Sequence, residues 1–559
     1  MTEATAVTLP ENVKPARYDL TLTPDLVGFT FSGSESIDIA ILEPTSEIVL
    51  NCAEIDIQSS SLSMGGETQI PTETVFDENA ETVTFEFGSE LTAGQATLSI
   101  EFTGELNDRL LGFYRSAYTD SDGKERYLAA TQFESTDARR SFPCWDEPSV
   151  KAVFEVTLVI PCELKAVSNM EIVSESDEGN GKTRLQFAET PIMSTYLLAF
   201  IVGDIACVED TTPDGTLMRV WATRGNEDKG QFALETSIDL LAYFNDYFGI
   251  PYPLSKLDHI ALPDFAAGAM ENWGAITYRE TALLVDPENS SAITREVVAA
   301  IISHEMAHQW WGHLVGWASY RDQWLSEGFA EFTAGLMLEF TEGPEEYDAF
   351  WDRRRSEILD RGRYVANHEA GAMTQGFRLG TRRSAGAARA MIYAKGGYVV
   401  HMLRMMMRAD GQPNPDEAFQ AMMHDFTSSW AGRSPSTDDF QAVAERHMSP
   451  AMDLAGDGTL DYFFEQWIRG TDIPTLSSTL EVTDLGDGRY RISGNVSQED
   501  VSEGFRTLVP IYLDFGDNVV KFGAVALSGP TSQALNGQFP LPRSPRRVLV
   551  NAMHDVLAR

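Results

Sequence analysis

The chain has 559 residues, 43% of them apolar, with 42 basic against 84 acidic side chains and a formal net charge of −42. That size allows about three domains with sizeable cores, and the mean hydropathy of −0.20 is that of a soluble globular protein. A surface so acidic repels phosphate backbones and anionic lipid, which argues against nucleic-acid and membrane partners.

No apolar run nears the roughly eighteen residues that cross a bilayer, and the N-terminus lacks a basic start followed by an apolar stretch. Cys52, Cys144, Cys162 and Cys207 are scattered without metal-like spacing, as suits reduced thiols. A cytoplasmic location is therefore expected.

Up to about residue 205 the pattern is β. Tyr18, Leu20 and Leu22 alternate with polar residues, as do Ile37, Ile39 and Ile41, then Val83, Phe85 and Phe87, then Leu98, Ile100 and Phe102. The runs 153–160 and 196–202 are more continuously apolar and predict inner strands. Within this region, 130–148 carries many charges and aromatics and reads from its residues alone as a loop, either functional or merely solvated.

From residue 206 a helical pattern is expected. Residues 232–248 repeat apolar side chains at helical spacing and end at Pro251-Tyr252-Pro253. The next segment, Gly268-Ala269-Met270-Glu271-Asn272 through Gly274, has glycines that permit close backbone approach, so a substrate main chain could lie along it. Thr294 is read as the cap of the following helix.

That helix carries His304-Glu305-Met306-Ala307-His308. Two histidines four residues apart on a helix sit about 40° apart around its axis, so both rings can address one ion. Glu305 is turned about 100° from His304 and can reach the ion's water, as a base would. Hydrolytic zinc sites often add a carboxylate as third ligand, and Glu327, nineteen positions after His308, is the candidate. The helix reads as apolar all round, with Val297, Ile301, Trp311 and Val315 on the histidine face, so it should be buried. Buried charge of this kind calls for a partner or a metal.

Glu327 opens another helix with an apolar stripe of Phe329, Phe332, Leu336 and Phe340. Further helices are expected over 350–359, 387–407, 416–446 and 460–468, with a glycine-containing loop over 366–380. Tyr393 lies within the 387–407 helix, where a tyrosine ordinarily belongs to the core. After Gly470-Thr471-Asp472-Ile473-Pro474 alternation returns, around turns at Gly486-Asp487-Gly488 and Gly516-Asp517-Asn518, and predicts a small β-sandwich.

Taken together, Leu9-Pro10, Tyr18, Gln132-Phe133-Glu134, the Gly268–Asn272 segment, the histidine motif and Tyr393 resemble the zinc aminopeptidases of the aminopeptidase N and puromycin-sensitive type, across nearly the whole chain. The resemblance implies a multidomain α+β fold: an N-terminal β-saddle domain (1–205), a thermolysin-like, mainly α catalytic domain (206–473) and a β-sandwich (474–559). The family's helical C-terminal domain is not expected here. Peptide-length limits and oligomeric state are left open.

The resemblance also implies one Zn²⁺ per chain on His304, His308 and Glu327, with Glu305 as general base and Tyr393 as oxyanion donor. Peptides with a free N-terminus would be the substrates, their ammonium held by Glu271 beside Glu134 and Gln132, with Gly268, Ala269, Met270 and Asn272 in the binding segment. Met270 and Gln132 would line the first side-chain pocket. Asp322 is read as steadying a ligating histidine or as surface charge. The epoxide-hydrolase branch of this fold carries Gly-Gly-Met-Glu-Asn, so Ala269 favours the peptidase. A silent scaffold is disfavoured because ligands and base are all present.

Overall fold

A computed structural model describes residues 8–362 and 364–559. They divide into two compact units, one reaching as far as Asp246 and adding Pro251–Gly316, the other formed by Tyr247–Ile250 and Trp317–Arg559. The chain is multidomain α+β.

The first unit begins with a nine-stranded sheet. Val13–Asp25 lies near its centre, antiparallel to Thr30–Ile41 and parallel to Lys151–Pro161, with Tyr18 opposite Phe154. The alternation in the sequence is the alternation in burial: Tyr18, Leu20 and Leu22 face the core. A four-stranded sheet contains Gly112–Thr119, Glu125–Gln132, Phe200–Gly203 and Lys165–Ser168, so Gln132 ends an inner strand.

The segment after that strand is no solvated loop. Phe133, Phe142, Cys144 and Trp145 are buried. Arg139 pairs with Asp146 at 3.0 Å and Glu81 at 3.2 Å, and Asp146 N–H donates to Asn51 Oδ1 at 3.0 Å. Its charges therefore fasten it to neighbouring strands.

The helical pattern expected from residue 206 begins later. Ile205–Thr211 and Leu217–Thr223 form a hairpin that joins Lys256–Leu262, Ala275–Arg279 and Ala269–Met270 in a five-stranded sheet. Met218, Val220 and Ala222 are buried and their neighbours Leu217, Arg219 and Trp221 are not fully so, a period of two that the sequence carries. Helix α1, Gln231–Phe248, agrees with the expectation. Helix α2, Ala292–Ala307, carries the histidine motif.

In the second unit α3 (Trp324–Thr341) and α4 (Pro344–Leu359) are followed by short 3₁₀ turns at Asn367–Ala370 and Met373–Leu379, where a plain loop was expected. The 387–407 helix is interrupted: Ala387–Arg389 leads into a π-helical turn, Ala390–Lys395, and then into α5, Gly396–Met407. Helices α6 (Glu417–Trp430), α7 (Thr437–His447) and α8 (Asp461–Trp467) follow. Seven strands between Thr475 and Val550 then form a four-stranded and a three-stranded sheet around a core that includes Ile492, Val509, Leu513 and Leu527.

Candidate active site

Helix α2 starts at Ser291, whose Oγ accepts from Thr294 N–H at 3.1 Å. Ser291, not Thr294, is thus the cap, because it is the residue with extended backbone whose oxygen faces the free amides. The helix is not buried all round: Ile293 is 73% and Val297 52% exposed, whereas Ile302, Glu305 and Met306 are buried. It ends at Ala307, so Trp311 and Val315 pair with each other beyond it instead of extending the histidine face.

His308 caps the helix with helical backbone angles and stays in line with His304. Its Nδ1 lies 2.9 Å from the Trp311 carbonyl oxygen. A carbonyl can only accept, so Nδ1 carries the proton and Nε2 is left with a lone pair. The two Nε2 atoms of His304 and His308 are 3.2 Å apart. Nitrogens bound at about 2.05 Å to one tetrahedral ion would stand about 3.3 Å apart, so the pair fits zinc without rearrangement.

Around this pair the first unit gathers carboxylates. One ligand atom each of Glu271, Glu305 and His308 lie within 4.8 Å of one another, and a carboxylate oxygen of Glu134 is as close to one of Glu271. All but Glu134 of these are buried. Burial, and after it the charge of Glu305, push the Tyr278 hydroxyl well above its usual range. It remains neutral, 3.0 Å from His259 Nδ1.

Glu271 is held by a short hairpin in which Ala269 pairs with Tyr278 and Met270 with Thr277. Asn272 Nδ2 donates to Thr277 Oγ1 at 3.1 Å, so Asn272 shapes this turn. Gly274 has φ +75°, and a Cβ there would meet the Asn169 carbonyl oxygen at 2.5 Å. Its glycine thus serves the protein's own packing. At Gly268 an added Cβ would meet nothing within 4 Å, so this is the glycine beside open space.

Gln132 is buried at its strand end, and its Oε1 has no hydrogen-bond partner among the described residues. Its Nε2 donates to the Glu134 carbonyl oxygen at 3.4 Å, and an orphaned buried acceptor is what a cationic ligand would satisfy. The spacing of a single sequence carries no signal for this grouping.

The second unit holds Glu327 and Tyr393. Glu327 is buried on the first turn of α3. Next to it, a Cβ on Gly328 would come within 2.7 Å of the Gly396 carbonyl carbon, so two glycine backbones touch where α3 meets the start of α5. Tyr393 occupies the π turn just before Gly396, half-buried, with the Arg389 guanidinium 5.8 Å from its ring centre. Local π turns break helical register and often mark functional positions.

Asp322 steadies neither a histidine nor solvent. It accepts from Thr437 N–H at 2.9 Å, Thr437 Oγ1 at 2.8 Å and Ser319 Oγ at 2.8 Å, which ties the turn before α3 to α7.

The N-terminal domain of peptidase M1 matches residues 14–197 and the peptidase family M1 domain matches residues 232–467. Aminopeptidase M1-B of Oryza sativa subsp. japonica is 40% identical over 478 residues, 85% of this chain and 52% of that protein. Aminopeptidase M1 of Arabidopsis thaliana is 38% identical over 503 residues, 87% of this chain and 54% of the relative. The puromycin-sensitive aminopeptidase of Caenorhabditis elegans is 44% identical over 332 residues, 59% and 35% of the two chains. The chain thus spans about half the length of the curated relatives M1-B and M1 that it matches. No helix among the described residues is long and apolar enough to cross a membrane. With both family domains matched in order, and with the histidine pair and its carboxylates on the segments they cover, the chain belongs to peptidase family M1.

Proposed function

We propose that the chain is a zinc aminopeptidase that hydrolyses the first bond of peptides with a free α-amine. The observation that carries this reading is the approach of the Glu134 and Glu271 carboxylates to each other and of Glu271 to His308, one of a histidine pair spaced for one ion, with the orphaned Gln132 Oε1 two residues before Glu134. An endopeptidase has no need of buried acceptors for a cation at that place.

His304, His308 and Glu327 would hold one Zn²⁺. When bound, the ion supplies Lewis-acid polarisation of the scissile carbonyl and lowers the pKa of water. Glu305 takes the proton of the attacking water and returns it to the leaving amine. Tyr393 donates its hydroxyl proton in a hydrogen bond to the oxygen that gains charge. Glu271 and Glu134 hold the ammonium by charge, Gln132 Oε1 by accepting a hydrogen bond, and the Gly268–Asn272 segment aligns the first residue. Met270 and Gln132 line the first side-chain pocket. The division into domains at 205/206 and 473/474 and a cytoplasmic location belong to the same reading.

The test is a panel of aminoacyl fluorogenic amides, each with a free and an acetylated N-terminus, on zinc-loaded wild type, Glu305→Gln and protein stripped by chelator. Cleavage confined to free amines, lost on stripping and lowered about 10³-fold in Glu305→Gln with zinc retained, is expected. Cleavage of the acetylated forms would remove Glu134 and Glu271 from their role. Zinc binding without cleavage of any amide would leave a silent relative.

A further inference from the structure

The chain's charge is unevenly spread. Against −42 overall, residues 361–389 carry six arginines and a single carboxylate, Glu369. That carboxylate is exposed and accepts from Ala366 N–H at 3.0 Å. Arg361, Arg378, Arg382 and Arg383 are exposed and, among the described residues, form no ion pair. Arg389 is exposed and lies 3.8 Å from Glu357.

Residues 364–389 form successive turns. Arg378 lies at the end of the 3₁₀ segment Met373–Leu379, one residue before its last, and the tight turn Thr381–Ser384 closes with a 2.8 Å hydroxyl pair. The Arg383 carbonyl oxygen comes 4.0 Å from a Cβ built on Gly362, which brings the Arg361 end beside it. Phe377, 47% exposed, stands among these arginines. At its far end the strip reaches Arg389, against the ring of Tyr393.

We propose that this arginine strip binds the residues downstream of the substrate's first bond, and that the preferred peptides carry Asp or Glu there. The inference rests on the peptidase reading, in which Tyr393 faces the reacting carbonyl. An extended peptide advances about 3.4 Å per residue, so side chains two to four residues past that bond travel about 7–14 Å from Tyr393. The chain's net charge repels acidic peptides overall, and the strip gives them a favourable landing place. Arginine forks recognise carboxylates in two-point geometry.

Matched hexapeptides with one favourable first residue and either Glu-Glu-Asp or Gln-Gln-Asn at positions three to five would be compared by kcat/KM at 50 and about 500 mM salt, where screening is several-fold stronger. The acidic peptide should be preferred about tenfold at low salt, as three exposed charge contacts allow. The preference should vanish at high salt and in Arg378→Glu/Arg382→Glu/Arg383→Glu, and persist in Arg184→Glu on the N-terminal sheet. Should the triple variant misfold, Arg382→Gln alone should shrink the preference. Equal rates on both peptides in wild type, or a preference that survives the triple variant, would overturn the proposal.

Fluorescence anisotropy of the labelled acidic hexapeptide separates this from the peptidase reading. Binding weakened by the triple variant in a protein that cleaves nothing keeps the strip and removes the peptidase. Dimerisation abolished by the triple variant, without peptide preference, would assign the strip to a second copy of the chain.

Discussion

The two units hold their own candidate residues by different means. In the first, a helix presents His304, Glu305 and His308 from one continuous turn, while Glu134 and Glu271 arrive from the ends of separate sheets. In the second, Glu327 and Tyr393 sit on either side of a glycine-to-glycine helix contact, with the tyrosine in a π turn. Hydrogen-bonded strand ends fix a charge cluster against its own repulsion. Close backbone packing fixes distance and angle. The first arrangement suits holding a cation, the second suits placing a donor on a reacting atom.

The comparison can be broken by splitting binding from turnover. Glu271→Gln removes one charge from the cluster and should lower kcat/KM on free-amine substrates by about 10- to 100-fold, mainly through KM, since a charged hydrogen bond contributes about 1.5–3 kcal/mol. An inhibitor without the amine should bind both proteins alike. Tyr393→Phe should instead lower kcat by about 100-fold with zinc content and KM little changed. A fall in kcat from Glu271→Gln equal to that from Tyr393→Phe would mean that the cluster takes part in the chemical step.

The packing that carries Tyr393 also has a pH signature. Lys395, the last residue of the π turn, is buried, and its ammonium donates to the Gly470 carbonyl at 3.0 Å. Burial pulls its pKa down to about 7, with Asp472 opposing the shift only in part. The unfolded chain therefore binds more protons between about pH 7 and pH 10, and stability rises with pH through that window. Below about pH 7 the native state must keep the buried charge, and this gain is absent. Urea midpoints of wild type minus Lys395→Met should increase between pH 7 and pH 9, by on the order of 2 kcal/mol in free energy. A flat difference would mean that the ammonium is solvated in the folded protein.

How legible each half was in the sequence follows the same division. The histidine pair was readable because helical period alone brings residues four apart onto one face. Glu134 and Glu271 are far apart in sequence, and only sheet topology brings them together. No periodicity encodes that pairing, so the family resemblance alone pointed to them. Tyr393 read as a core residue for the same reason: in an uninterrupted helix it would be one, and the π turn shifts the register just there. The hairpin Ile205–Thr223 was misassigned although Met218, Val220 and Ala222 alternate, because that run is short and flanks a long helix. Charged residues in 133–148 read as a loop because composition does not say whether arginines meet water or, like Arg139, a buried carboxylate.

The smallest test concerns the start of α2, where sequence and structure name different caps. Ser291 has extended backbone and accepts from Thr294 N–H, while Thr294 Oγ1 lies 2.9 Å from Ser291 Oγ. Ser291→Ala removes the acceptor of a free helix amide and should cost about 1 kcal/mol in the denaturant midpoint. Thr294→Ala removes only a hydroxyl contact at an exposed site and should cost less than about 0.5 kcal/mol. Because His304 and His308 sit at the other end of the helix, neither change should alter zinc content or the ranking of aminoacyl amides. An equal loss from both variants would show the two hydroxyls working as one cap, and a shift in zinc affinity would show that fraying at Ser291 reaches the histidines.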